Sequence, residues 1–199
     1  RNNMRNKPPV DFDKFASEKS ILFITTSPVK KALHGLANIF VSQAISELFT
    51  IADESAAGAL EIPTDIIFDD FATGAKVSDM PEKLSICRAK GIAFSGILLQ
   101  SESQLKRMYG EYEAIEIIDQ CDSYVFFGGN NYETAKALSL KMNVPLDEIL
   151  YLPVGRIIVF RRGQKPVFST RYDIFHDEFY QRITQSHTGQ KDDPWPRDR

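Results

Sequence analysis

The chain has 199 residues, 43% hydrophobic and 26% charged, an ordinary globular composition with apolar side chains enough for a sizeable core. Its formal net charge of -3 gives no global attraction to nucleic acid, so any such contact would need a local basic patch. Cys87, Cys121, His34, His176 and His187 are scattered without ligand spacing, which argues against a Cys/His metal centre and for free thiols in a reducing compartment.

Arg1 to Lys19 lacks an initiator Met and a signal-peptide pattern and passes through Lys7-Pro8-Pro9, so it reads as a linker entering from an upstream part of a longer protein. Ser20 to Thr26 is a short β-rich run stopped by Pro28. From Lys30 to Ala52, Leu33, Leu36, Phe40, Ala44, Ile45, Leu48 and Phe49 recur at the spacing of a long amphipathic helix. No apolar run approaches the ~18 residues of a membrane span, so a soluble piece is expected. Glu54 to Ile62 is small and acidic, a surface loop, before a strand from Thr64 to Phe68 that ends in Asp69-Asp70.

Ser78-Asp79-Met80-Pro81-Glu82 supplies a capping acid, an early Pro and an acid in the first turn of a helix. Arg88 and Lys90 suit its C-terminal end and Gly91 stops it. Ile92 to Leu99 is a third strand, ending in Gln100. Ser101 to Arg107 and Glu111 to Asp119 read as short helices separated by Tyr109-Gly110. A fourth strand, Ser123 to Phe127, is closed by Gly128-Gly129-Asn130-Asn131, and Tyr132 to Met142 continues as a helix. This alternation predicts a mostly parallel α/β sheet with flanking helices. Gly155 to Phe160 and Pro166 to Thr170 then form a β-hairpin with a basic tip, and the chain from His187 onward is polar and disordered.

Ligands bind open parallel sheets at the carboxyl ends of strands, and Asp69, Asp70 and Gln100 fall at one such rim if their strands are neighbours. Asp69 could hold Mg2+, Asp70 act as base or orient water, and Gln100 sense a γ-phosphate. Arg88 could reach phosphate in a neighbouring subunit as an arginine finger, or only complement its helix dipole. An acidic pair at a strand end can equally cap the following turn. The Gly128-Gly129 turn, with no following Lys and Ser or Thr, reads as an ordinary strand-to-helix connection. Arg161, Arg162 and Lys165 read as a solvated hairpin tip, and Tyr109, Tyr124 and Phe126 as packing residues.

Between about Ser20 and Asp173 the chain resembles the type IV coupling proteins of bacterial conjugation, the TraG/TraD class of DNA-pumping ATPases. The resemblance is carried by Asp65-Ile66-Ile67-Phe68-Asp69-Asp70-Phe71-Ala72, by Leu84-Ser85-Ile86-Cys87-Arg88-Ala89-Lys90-Gly91-Ile92, and by Ile97-Leu98-Leu99-Gln100-Ser101-Glu102-Ser103-Gln104-Leu105. Tyr109-Gly110 and the stretch from Gly155-Arg156 to Tyr172-Asp173 also fit. It implies a partial RecA-like P-loop NTPase domain over residues 20–175, after a linker over 1–19 and before a tail over 176–199. It also implies a parent that is a homo-hexamer at the inner face of the bacterial cell membrane, anchored by upstream helices. That parent would use ATP and Mg2+ to move single-stranded DNA and its relaxase into a type IV secretion channel.

By the same resemblance Asp69 takes the Mg2+ place of the Walker B strand, Asp70 that of the catalytic acid, Arg88 that of a proposed trans arginine finger and Gln100 that of a γ-phosphate sensor. The family usually has Asp-Glu where this chain has Asp69-Asp70, and no Gly-Lys-Ser or Gly-Lys-Thr phosphate loop occurs in the 199 residues. The strand preceding that loop lies mid-sheet in this class, between the strands ending at Gln100 and at Phe127. These 199 residues alone are therefore expected not to hydrolyse ATP and to associate through an open sheet edge. The competing expectations are a degenerate motor half that docks relaxosome or channel proteins and, more weakly, a receiver-like phosphotransfer domain.

Overall fold

The computed structural model describes residues 10–25, 32–72 and 76–187. Residues 1–9 of the expected linker, the Pro28 break and the tail after His187 lie outside them. The chain divides into two compact units, Arg1–Asp122 and Ser123–Arg199.

The first unit runs α1 (Phe12–Ser17), α2 (Ala32–Glu54), β1 (Thr64–Phe68), α3 (Met80–Ile86), a 3-10 turn (Cys87–Lys90), β2 (Ile92–Ile97), α4 (Glu102–Tyr109) and α5 (Glu111–Gln120). β1 and β2 pair in parallel, with Thr64 opposite Ile92 and Phe68 opposite Ile97, and the register slips between Ile66 and Ile67 so that Ser95 is passed over. Gly96 permits this slip: a Cβ there would lie 3.2 Å from Ile67 Cγ2 and 3.3 Å from Leu98 Cδ1. Alternation sorts the sheet's faces. Ile66, Phe68, Phe94 and Ile97 pack on a core built from Ile45, Leu48 and Ala52 of α2 and Leu105, Ala114 and Ile117 of α4 and α5. Asp65, Ile67, Ala93 and Ser95 face outward and are exposed.

Entry into β2 is set by Gly91, whose φ of 70° lies where a side chain is strained and whose added Cβ would sit 3.3 Å from the Leu60 carbonyl oxygen. It stops the helix as expected, though the last turn tightens to 3-10. Asp79 does not cap α3: it adopts a left-handed conformation with φ 52°, and its side chain makes no cap hydrogen bond. The strand expected at Ser20 to Thr26 is absent over its described part. Ile21 and Phe23 are 80% and 84% exposed there, and β-prone residues form a strand only when a ladder and a packed face accept them. α2 corrects another expectation, because Gly35–Glu54 is long and apolar enough by length and composition to cross a membrane. Its Ala44, Ile45, Leu48, Phe49 and Ala52 are buried, whereas Leu36 and Ile39 are exposed.

The second unit contains β3 (Ser123–Phe126), α6 (Tyr132–Met142), α7 (Leu146–Leu150), β4 (Arg156–Arg161), β5 (Val167–Thr170), a 3-10 turn (Ile174–His176) and α8 (Glu178–His187). The predicted hairpin is present, and β4 also takes β3 as an antiparallel neighbour, giving the order β3-β4-β5. β3 was expected in a parallel sheet; among the described residues parallel pairing is confined to β1 and β2, and β2 has β1 as its only ladder partner. Phe126, Ala135, Leu138, Met142, Ile149 and Ile158 form this unit's core. α6 starts where Asn131 Oδ1 accepts from the Thr134 amide at 2.9 Å, which makes the Gly128-Gly129 turn a strand-to-helix connection ended by a side-chain cap.

Candidate functional site

The Asp69-Asp70 turn is held by one residue of the neighbouring strand. The Leu98 amide donates to the Phe68 carbonyl at 2.9 Å, and the Leu98 carbonyl accepts from the Phe71 amide at 2.9 Å. Asp69 and Asp70 lie between those two bonds and are pushed out of the ladder, both exposed. Asp70 takes a left-handed conformation with φ 51°, which Asp adopts more readily than most residues. Phe68 and Phe71, on either side, turn inward with ring centroids 4.9 Å apart.

Gln100, just beyond β2, reaches back to this turn: its Nε2 donates to Asp70 Oδ1 at 3.2 Å. Parallel pairing thus brings Asp69, Asp70 and Gln100 to one rim, as the sequence predicted. Arg88 is not part of this group. It sits exposed in the 3-10 turn that leads into β2, and the six residues of that strand, at ~3.3 Å each, put it about 20 Å from the rim.

Two residues not singled out as chemistry-bearing in the sequence complete the surroundings. Gln104 Nε2 donates to Gln100 Oε1 at 3.2 Å, while its own Oε1 is buried without a hydrogen-bond partner. Tyr109, at the other end of α4, is buried as expected of a packing residue and stacks on Phe71 with centroids 5.6 Å apart. Its hydroxyl accepts from the Val77 amide at 2.9 Å and donates to the Val77 carbonyl at 3.4 Å, which fastens the far side of the loop that follows the acidic turn. Burial pushes the Tyr109 phenol up to about 12. A Gln four residues after Gln100 across a helix start was the only sequence signal for the first contact, and none announced the second.

The rim offers oxygen donors, which suit hard divalent cations. Among the described residues no three His, Cys, Asp or Glu side chains cluster as an all-protein cage would require. An exposed carboxylate or two, sharing a cation with phosphate oxygens, is the set Mg2+ uses. Neither Cys87 nor Cys121 is in a disulfide, and burial pushes the Cys87 thiol up, away from nucleophilic character. The hairpin-tip residues Arg161, Arg162 and Lys165 are exposed.

Residues 63–142 match the family described as the TraM recognition site of TraD and TraG. No curated protein matches the chain in sequence. Among solved structures, the chain is similar to the bacterial conjugative coupling protein TrwBdeltaN70 in its unbound monoclinic form, at 21% identity and TM-score 0.67 over 82% of this chain and 43% of that one. It is also similar to plasmid coupling protein TrwB in complex with the ATP analogue ADPNP, at 24% identity and TM-score 0.61 over 75% of this chain and 39% of that one. A third structure, TrwB in complex with ADP and Mg2+, matches at 23% identity and TM-score 0.62 over 75% and 39% of the two chains. The chain therefore spans about two fifths of the length of these proteins, and at such identities the likeness establishes a shared fold. Residues 63–142, which carry the acidic turn, the Arg88 turn and the Gln100 loop, are thus similar to the TraM recognition site of TraD and TraG, and the chain shares its fold with part of the coupling protein TrwB.

Proposed function

We propose that the rim formed by Asp69, Asp70 and Gln100 is the metal and water end of an ATP site in a conjugative DNA-pumping motor, and that residues 20–175 serve as the C-terminal half of a RecA-like nucleotide-binding domain with 176–199 as its tail. The observation that carries this reading is the hydrogen bond between the Gln100 amide and the Asp70 carboxylate across two parallel strands. Asp69 would hold Mg2+, whose charge neutralises phosphate oxygens when it is bound with nucleotide. Asp70 takes a proton from, or orients, the attacking water, and the Gln100 amide donates toward an anionic oxygen. Arg88, a strand length away, can serve only a neighbouring subunit, which favours a ring in which each copy completes the next copy's site. That TrwB has been seen with ADPNP and with ADP and Mg2+ supports ATP and Mg2+ as the cofactors of the parent protein. In this reading the parent is a homo-hexamer at the inner face of the bacterial cell membrane that passes single-stranded DNA and its relaxase to a type IV secretion channel, and the 199 residues by themselves do not hydrolyse ATP.

A second reading is favoured by the family description itself, which names a recognition site rather than a catalytic one over residues 63–142. On that reading the segment docks relaxosome or channel components and the acidic pair is vestigial. Asp69→Ala and Arg88→Ala in the intact coupling protein separate the two. The motor reading expects both variants to lose ATP turnover and DNA transfer; transfer that survives both substitutions would leave the docking reading in possession.

A further inference from the structure

We propose that Gln104 is a positioning residue for the ATP site: it fixes which way the Gln100 amide faces, and the fold leaves Gln104's own carbonyl oxygen unpartnered to achieve this. The inference rests on the ATP-site reading above.

The orientation follows from donors and acceptors. A carboxylate only accepts, so Asp70 turns the Gln100 amide to present its NH2 group, at 3.2 Å. The Gln100 carbonyl must then face the other way, where the Gln104 NH2 meets it at 3.2 Å. This in turn aims Gln104 Oε1 into a buried position with no donor. Flipping Gln104 would set two carbonyl oxygens against each other; flipping Gln100 as well would set its carbonyl against the Asp70 carboxylate. The chain of three therefore has one consistent arrangement, and its defect is collected at Gln104.

The arrangement has a use at the rim. An amide NH2 carries two protons. With its carbonyl held by Gln104, Gln100 keeps both on the Asp70 side, one for the carboxylate and one for an incoming anionic oxygen. Gln100 lies in a connecting loop, whereas Gln104 lies on α4, which is anchored by fully buried Leu105 and by Tyr109. The contact ties a loop side chain to a rigid helix. A buried acceptor without a donor weakens the fold, and local rules broken in this way concentrate at functional sites.

The test uses Gln104→Met, which keeps the stem and deletes the amide, and Gln104→Glu, which sets an acceptor against the Gln100 carbonyl, both in the intact coupling protein. Each is expected to lower kcat for ATP about tenfold with KM within about twofold, as for a group that positions a transition-state donor. Gln104→Met is expected to leave the melting temperature unchanged or raised, because it removes the unpartnered acceptor. In a Gln100→Ala background neither substitution should lower kcat further. A melting temperature that falls with Gln104→Met, or an equal loss of kcat with and without Gln100, would make Gln104 a packing residue and end the proposal. Unchanged kcat in both variants, with Asp69→Ala inactive, removes this proposal alone; turnover that survives Asp69→Ala removes the site reading and this proposal with it.

Discussion

If the acidic rim is an ATP site, Asp70→Asn in the full-length protein is expected to lower ATP turnover by about 10²- to 10⁴-fold, the usual contribution of a general base, while leaving the melting temperature unchanged. The two halves of this expectation have separate causes. Asn tolerates the left-handed conformation that residue 70 adopts at φ 51°, and its side-chain oxygen can still accept from Gln100. Turn and hydrogen bond both survive, and only the negative charge and the proton acceptor are lost. Asp70→Ala should match the loss of turnover and add a penalty of about 1 kcal/mol for placing an ordinary side chain at that φ. Steady-state ATP hydrolysis and thermal melting of the three proteins check this together. Turnover of the Asn variant within about threefold of the parent would remove Asp70 from the chemistry, since such a ratio is worth under ~1 kcal/mol of barrier.

Tyr109 controls a second large effect, on stability at alkaline pH. Its phenol is raised from 10.0 to about 12 in the folded protein, chiefly because burial disfavours the phenolate. Below the unfolded value both states hold the proton and the contribution of Tyr109 is fully present. As pH rises from about 10 to about 12 the unfolded chain gives up its proton first, so stability falls by about 1.4 kcal/mol per pH unit, about 3 kcal/mol in all. Tyr109→Phe removes this slope. At neutral pH the same variant should be less stable by about 1–3 kcal/mol, because the buried Val77 amide loses its acceptor. Urea unfolding at pH 7 and at pH 10 to 12 should show the two proteins converging as pH rises. Parallel curves would mean that Tyr109 is not the group that titrates.

What could be read from the sequence was what depends on period and on turn residues, while the one cap it offered, Asp79, makes no capping hydrogen bond. β1 was legible to the residue, because Asp65 and Ile67 alternate with Ile66 and Phe68 before the acidic pair. α6 was legible because the Gly128-Gly129-Asn130-Asn131 turn precedes it; that Asn131 caps it is shown by the structure. Ser20 to Thr25 was misread because residue type states a preference and only a partner strand makes it a strand. The short helices α1 and α7, and α8 in the expected tail, were missed because pieces of 6, 5 and 10 residues owe their stability to surroundings rather than to propensity. The site divides in the same way. Asp70 and Gln100 were foreseeable as a pair, since parallel strands bring their carboxyl ends together. Gln104 was signalled only by its spacing of four from Gln100, and Tyr109 depends on the path of a loop that no spacing rule describes.

The place of Arg88, about 20 Å from the acidic turn across β2, has a consequence for mixtures. If each site takes its acids from one copy and its arginine from the next, the unit of activity is an interface, not a polypeptide. Two variants that are inert alone, Asp70→Asn and Arg88→Ala, would then rescue each other when assembled together. Wherever an Arg88→Ala copy presents its intact acids to an Asp70→Asn copy that presents its intact arginine, both groups meet; random assembly from equal amounts restores such an interface in about a quarter of cases. Neither defect is then a property of the chain that carries it.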